Sequence, residues 1–184
     1  GSSISPAIIK KRIKRTGLKI SKPGILALDT LFRNIQDFMK PDVQKLLSVE
    51  IAGMDGFTLI DRKSYDRAMS EMGITEDDFK HEDELSNLGK MLNADYILRP
   101  VLTRIDDYYI FQVDVFNPKK KVWFETYEYK TESYQYLQNF MKRFALQFQN
   151  REIPGSLFIP ENRLLWNYEA DSFVTDLGFS SGSR

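Results

Sequence analysis

Two neighbouring segments in the second half of the chain alternate apolar and polar residues, and this pattern limits the fold more than any other feature of the sequence. The first segment runs from Tyr108 to Phe116 and the second from Val122 to Thr131. A period of two residues predicts strands that bury one face, and Asn117 with the residues that follow it is typical of a turn. The sequence therefore predicts an antiparallel hairpin.

The rest of the chain predicts further strands and helices. The run ILALDTLF from Ile25 predicts a buried strand, Phe57–Ile60 a short one, and residues 95–105 a third. Pro100 in the third strand cannot donate a ladder hydrogen bond, which favours an edge position or a bulge there. Four segments combine apolar residues at helical spacing with a residue that favours a helix start; these starts are Pro41, Asp61, Glu84 and Ser133.

These elements predict an α/β (α+β) domain in which helices flank a mixed sheet of four or five strands. The last helix is expected to lie across the hairpin. A chain of 184 residues with 42% apolar residues is long enough to bury the core of one such domain. We expect the domain to occupy residues 25–153, between a basic N-terminal arm (1–24) and a C-terminal extension (154–184) that packs on it and has a disordered end.

Charge is balanced over the whole chain but uneven along it. Lysine and arginine total 26, as do aspartate and glutamate, so the formal net charge is zero. The arm contains no acidic residue, and its candidate basic patch consists of Lys10, Lys11, Arg12, Lys14 and Arg15. Such a patch can bind phosphates, but zero net charge favours a solvated arm, and no nucleic-acid partner is expected.

The sequence predicts no direct insertion into a membrane. No apolar run approaches the roughly 20 residues that a membrane-spanning helix needs. Gly1 and Ser2 are typical of residues left by recombinant expression, so an upstream signal sequence or lipid-bearing cysteine is compatible with this sequence. We expect membrane association only through such a lipid anchor.

Few residues in the chain could carry catalysis or bind a metal. There is no cysteine, and His81 is the single histidine, which we interpret as structural or solvent-exposed. The phosphate-binding, nucleophile-elbow and zinc-protease motifs are missing. We therefore predict no catalytic residues, no metal and no cofactor, and expect that the protein is not an enzyme. A hydrolase or nucleotide-binding enzyme is the least favoured alternative.

Aromatic residues are concentrated in the predicted hairpin and form a candidate surface for a partner. If Tyr109 and Phe111 face the core, the remaining large side chains of the hairpin are expected to share the outward face. The candidate contact residues are Tyr108, Ile110, Phe116, Trp123, Tyr127 and Tyr129. Burial under the closing helix is the favoured alternative for this group, and an exposed patch for a partner is the other.

Two spaced motifs resemble those of a group of bacterial envelope proteins. The first is FTLIDR (57–62), and the second is LGKMLNADY (88–96). Gly89 permits close helix packing, and Asp95 can start a turn into the next strand. On these motifs, residues 25–150 resemble the CsgG-like curli-secretion lipoproteins, the LpoB-like activators of penicillin-binding proteins, the TolB N-terminal domain and a flagellar-envelope relative.

The resemblance implies a TolB-N-terminal-like fold with no common catalytic centre. It implies a protein of the periplasm, anchored at the outer membrane as a lipoprotein, that acts as an accessory adaptor and binds another envelope protein. The alternative is a self-assembling subunit of a flagellar or secretion apparatus, which would form homo-oligomers. The secretion-pore member has long membrane hairpins, whereas the turn after Asn117 is short, so no pore is expected.

Overall fold

The predicted mixed sheet forms in the computed structural model, which describes residues 21–157. Its strands are β1 (Gly24–Ala27), β2 (Leu31–Arg33), β3 (Thr58–Leu59), β4 (Tyr96–Ile105), β5 (Tyr108–Asn117) and β6 (Val122–Thr131). They lie in the order β3-β1-β4-β5-β6, and β2 pairs with β4 beyond the end of β1. β1 is parallel to β3 and β4, whereas β4, β5 and β6 are antiparallel. The α+β fold class is confirmed.

Helices flank the sheet at the positions that the sequence indicated. The α-helices of the described part are α1 (Lys40–Ala52), α2 (Arg62–Met72), α3 (Glu82–Met91) and α4 (Leu137–Phe148). Pro41 lies in the first turn of α1, and Asp61 caps α2 by accepting a 2.7 Å hydrogen bond from the Ser64 N–H. α4 begins later than Ser133 because Tyr134–Tyr136 first form a 3₁₀ turn.

The helices divide between the two faces of the sheet. α1 and α4 cover one face, which we call the closed face, and its core includes the fully buried Phe111 and Phe144. On the second face, α2, α3 and a 3₁₀ turn (Glu76–Lys80) pack against Ile97 and Phe116. Complete burial of side chains of this size contributes about 1.5–3 kcal/mol each, so the two cores hold the sheet between its helices.

A break between β1 and β2 corrects the prediction for Pro100. β4 is a central strand, so Pro100 is not at an edge, and the irregularity falls on the neighbouring strand. β1 pairs with β4 as far as Leu98, and β2 resumes the pairing at Val101. The Leu28 N–H donates to the Leu98 carbonyl at 2.9 Å, but the next ladder bond would need an N–H at position 100, which proline lacks. The single strand predicted for ILALDTLF is therefore two strands.

A β-bulge in β6 decides which face each aromatic residue of the hairpin occupies. Trp123 pairs with Phe116 of β5, Glu125 pairs with the residue before Phe116, and Phe124 is therefore an extra residue without a pair. One extra residue reverses the side on which the adjoining side chains lie. Trp123 consequently lies on the second face, whereas Tyr127 lies on the closed face.

The chain beyond this domain is only partly described. The arm residues from Lys10 to Arg15 and the extension after Leu157 lie outside the described residues. Within residues 21–157, no helix combines the length and the apolar character needed to cross a membrane.

Candidate functional site

The two motifs that carried the resemblance have structural roles. Asp95 accepts a hydrogen bond from the Gly24 N–H at 2.8 Å, and its own N–H donates to the Gly24 carbonyl at 2.8 Å. Gly89 packs so closely on the β5–β6 turn that a Cβ there would lie 2.5 Å from Pro118 Cγ. Asp61 caps α2. The motifs therefore hold β1, α2, α3 and the hairpin together.

Two of the six candidate contact residues lie under α4 on the closed face. Tyr129 is 6% exposed, its hydroxyl donates to Gln147, and the ring of half-buried Tyr127 lies 5.2 Å from that of Phe144. Burial raises the pKa of both tyrosines, so they remain neutral. The favoured alternative, burial under the closing helix, therefore applies to Tyr127 and Tyr129.

Phe116 and Trp123 lie on the opposite face of the sheet, within the core formed with α2 and α3. Phe116 is fully buried, and its ring centroid is 4.9 Å from that of Trp123, which is half-buried. The six candidates therefore do not share one face, because the bulge at Phe124 separates Trp123 from Tyr127 and Tyr129.

Tyr108 and Ile110 lie on a part of the second face that no described helix covers. Tyr108 is 36% exposed, and the Lys130 ammonium lies 4.1 Å from its ring centroid. Ile110 is half-buried and pairs with Thr103 across the β4–β5 ladder. Of the six candidates, Tyr108 and Ile110 are therefore the two on the uncovered part of the second face.

We call this uncovered part the open face. Its side chains come from β2, β4, β5 and β6; they are Leu31, Arg33, Arg99, Val101, Thr103, Ile105, Tyr108, Ile110, Gln112, Asp114, Thr126, Glu128 and Lys130. Leu31 is 39% exposed and Ile105 51%. Large apolar side chains gathered on one exposed surface and surrounded by charge are typical of interaction sites.

Asp114 organises the polar centre of the open face. It is 8% exposed and accepts hydrogen bonds from Arg99 Nη2 at 3.2 Å, Gln112 Nε2 at 2.8 Å and Thr126 Oγ1 at 2.9 Å. The Arg99 guanidinium also lies 4.2 Å from the centroid of the Trp123 ring. The contacts with Asp114 and Trp123 therefore hold the Arg99 guanidinium in one position on the open face.

A groove separates the open face from the 3₁₀ turn Glu76–Lys80. Its volume is about 170 Å³, and it is lined by Leu28, Asp29, Leu31, Glu76, Asp77, Phe79, Lys80 and Arg99. The Tyr65 hydroxyl donates to Glu76 Oε2 at 3.1 Å. Desolvation, together with the nearby Asp29 carboxylate, raises the pKa of Glu76.

A second groove, of about 440 Å³, lies beside β3 and is lined in part by Asp61, Ser64, Arg67 and Glu71. Hydrogen bonds from Ser64 lower the pKa of Asp61, so this carboxylate stays ionised as a helix cap and is poorly suited to donate a proton. Among residues 21–157, no group of three or more potential ligands is placed to hold a metal ion.

Sequence reasoning missed Arg99, Asp114 and the groove beside Glu76. A signal for the first two was present, because each is a charged residue inside a strand that is otherwise largely apolar. Charged residues in such positions are usually paired. The groove depends on how the 3₁₀ turn packs, which no local pattern indicated.

The fold and the open face define a class of α+β domain in which helices cover most of one sheet face and a smaller part of the other. Among solved structures, the chain is similar to the LpoB C-terminal domain from Escherichia coli, with a TM-score of 0.52 and 13% identity over 68% of this chain and 93% of that one. It is also similar to lipoprotein GNA1162 from Neisseria meningitidis, with a TM-score of 0.50 and 11% identity over 82% and 98% of the two chains.

These likenesses support the LpoB-like part of the resemblance at the level of the fold. TolB from Acinetobacter baumannii is less similar, with a TM-score of 0.41 and 7% identity over 70% of this chain and 27% of that one. No family model matches the chain, and no curated protein matches it.

Proposed function

We propose that this chain is a non-catalytic accessory protein of the bacterial envelope that acts as an adaptor by binding another protein through the open face. The observation that carries the proposal is the exposure of Leu31, Ile105 and Tyr108 on a sheet surface without a helix over it in the described part. Water contact with these side chains is unfavourable, and a partner that covers them would remove it.

The shape and composition of the open face favour a protein over a small molecule as ligand. Small-molecule sites are concave and usually enclose roughly 300–1,000 Å³, whereas the groove that borders the open face has about 170 Å³. Tyrosine and arginine are the residues that most often dominate protein interfaces. The open face carries Tyr108, Arg33 and Arg99.

The proposed location is the periplasm, with a lipid anchor in the outer membrane. The LpoB-like fold and the motifs at 57–62 and 88–96 support this location. In this proposal the partner is another envelope protein, and the anchor restricts the search for it to the membrane surface.

A self-assembling subunit is the second candidate function, and the outer strand β6 is the observation that favours it. β6 is ten residues long and forms one edge of the sheet, with Val122 42% and Phe124 47% exposed. An unpaired edge can add a strand from another chain. Light scattering at increasing protein concentration separates the candidates, because a constant monomer mass contradicts self-assembly and a rising mass supports it.

Substitution at Ile105 tests the adaptor proposal. We expect tagged full-length protein with Ile105→Asp to lose the protein that co-purifies with wild type from native cells, because an aspartate would place a charge in the apolar contact. Val49→Asp is the matched control, since Val49 is 60% exposed on α1, which packs on the closed face. If both variants recover the same amount of the co-purifying protein, binding through the open face is contradicted.

A further inference from the structure

Two of the charged residues that line the groove between the open face and the turn Glu76–Lys80 are already paired. Arg62 Nη1 lies 2.6 Å from Asp29 Oδ1, and Arg99 Nη2 lies 3.2 Å from Asp114 Oδ2. Asp29 and Arg99 both line the groove and carry opposite charges, so together they add no net charge to it.

The other charges leave the groove with one excess negative charge. Glu76, Asp77 and Lys80 also line the groove. Among the described residues, neither carboxylate has a cation within ion-pair distance, and Lys80 has no carboxylate within that distance. Two carboxylates thus face one ammonium group. The Arg62 charge also acts on Glu76, but Arg62 lies within 3.0 Å of both Asp29 and Asp66 and is already balanced by them. A second cation placed beside Glu76 would favour its ionised form and offset the excess charge.

The size and the walls of the groove suit a single long side chain. Leu28 and Phe79 are 3% and 8% exposed and form an apolar wall with Leu31. A volume of about 170 Å³ leaves room for far less than a drug-sized ligand. Lysine and arginine side chains combine an apolar stem with a charged head, and this combination matches an apolar wall that ends at carboxylates.

We infer that this groove receives the side chain of an arginine or lysine from the partner protein that docks on the open face. The inference rests on the proposed function, because Leu31 and Arg99 belong to both the open face and the groove, so a partner on the face also lies over the groove. The stem packs on Leu28 and Leu31, and the charged head lies beside Glu76. An anionic side chain would meet the uncompensated carboxylates and is disfavoured.

Titration of the ¹⁵N-labelled full chain with N-acetyl-arginine methylamide tests the inference by NMR. We expect amide shifts in residues 28–31 and 76–80, and weaker binding of N-acetyl-glutamate methylamide. Glu76→Gln should lower the affinity for the arginine compound about threefold, the effect of losing one partly exposed ion pair. Glu71→Gln is the control, because Glu71 is an exposed acid that lines the groove beside β3, and its affinity should match wild type.

Equal affinity for the two compounds, shifts confined to other residues, or no effect of Glu76→Gln would overturn the inference. Replacement of Lys10, Lys11, Arg12, Lys14 and Arg15 by alanine tests the chain's own arm as the source of the cation. Unchanged affinity of this variant for the arginine compound supports a partner's side chain as the occupant. A higher affinity shows that the arm competes for the groove and overturns the inference. The NMR titration tests only the groove, whereas co-purification with Ile105→Asp tests the open face. A negative titration therefore does not contradict the proposed function.

Discussion

Gly89→Ala is expected to destabilise the fold, although alanine usually stabilises the interior of a helix. A Cβ at this position in α3 would lie 2.5 Å from Pro118 Cγ and 3.3 Å from Ile97 Cδ1. Overpacking of this kind destabilises a fold by about 1–3 kcal/mol. Replacing glycine by alanine inside a helix stabilises the helix by about 1 kcal/mol. The Pro118 ring is rigid and buried, and two of its atoms would lie within 2.6 Å of the new Cβ, so the upper part of that range, about 2–3 kcal/mol, applies. After the gain of about 1 kcal/mol is subtracted, we expect the free energy of unfolding to fall by roughly 1–2 kcal/mol.

Urea unfolding of the full chain, followed by circular dichroism, measures this change. With a slope of about 2 kcal/mol/M, the midpoint should fall by roughly 0.5–1 M. Gly56→Ala is the matched control, because nothing lies within 4 Å of a Cβ at Gly56, and its stability should stay constant or rise slightly. Adding Pro118→Ala to Gly89→Ala should recover part of the loss. A midpoint for Gly89→Ala at or above that of wild type would refute the close packing of α3 on the hairpin turn.

Three other substitutions test contacts inside the domain by the same unfolding measurement. Tyr129→Phe should cost about 1 kcal/mol because it removes the hydrogen bond of a buried hydroxyl, and an unchanged midpoint would contradict that bond. Asp114→Asn should cost about 1–3 kcal/mol because it leaves Arg99 without its counter-charge, and a neutral result would show that the pair adds nothing. Hydrogen bonds from Ser64 lower the pKa of Asp61 below its usual 3.8, so its charge stabilises the fold above that pH and this contribution is lost as the pH falls through the folded-state value. Asp61→Asn should therefore lose less stability than wild type on acidification, and parallel curves would contradict the cap.

The hairpin and the helix starts could be predicted because their signals are local. Alternation along β5 and β6 reports which residues face a core, whatever that core contains. The cap at Asp61 needs only the N–H groups of the turn that follows it. Such features depend only on residues close in the sequence and can therefore be predicted from it.

The positions of the hairpin aromatics could not be predicted in the same way. The extra residue at Phe124 moves Trp123 to the face opposite Tyr127, and the local alternation does not mark it. Pro100 was a genuine signal of irregular pairing, but its effect falls on the neighbouring strand, between Leu28 and Leu31. Both errors arise because a strand's register depends on the strand beside it.

The open face follows from a mismatch of lengths that becomes visible only with the topology known. β4 and β5 have ten residues each and extend about 33 Å at 3.3 Å per residue. α2 and α3 have 11 and 10 residues and extend about 15–17 Å at 1.5 Å per residue. Helices of this length cover about half of the strands, and the sequence alone did not show which half.

Photo-crosslinking from the open face in the native envelope tests the central claim most directly. A photoreactive amino acid replaces Ile105 or Tyr108 on the open face, or Val49 on α1 as the control. Binding through the open face predicts one discrete adduct of the same mass from positions 105 and 108 and none from position 49. The same adducts from all three positions, or no adduct from positions 105 and 108, would contradict it.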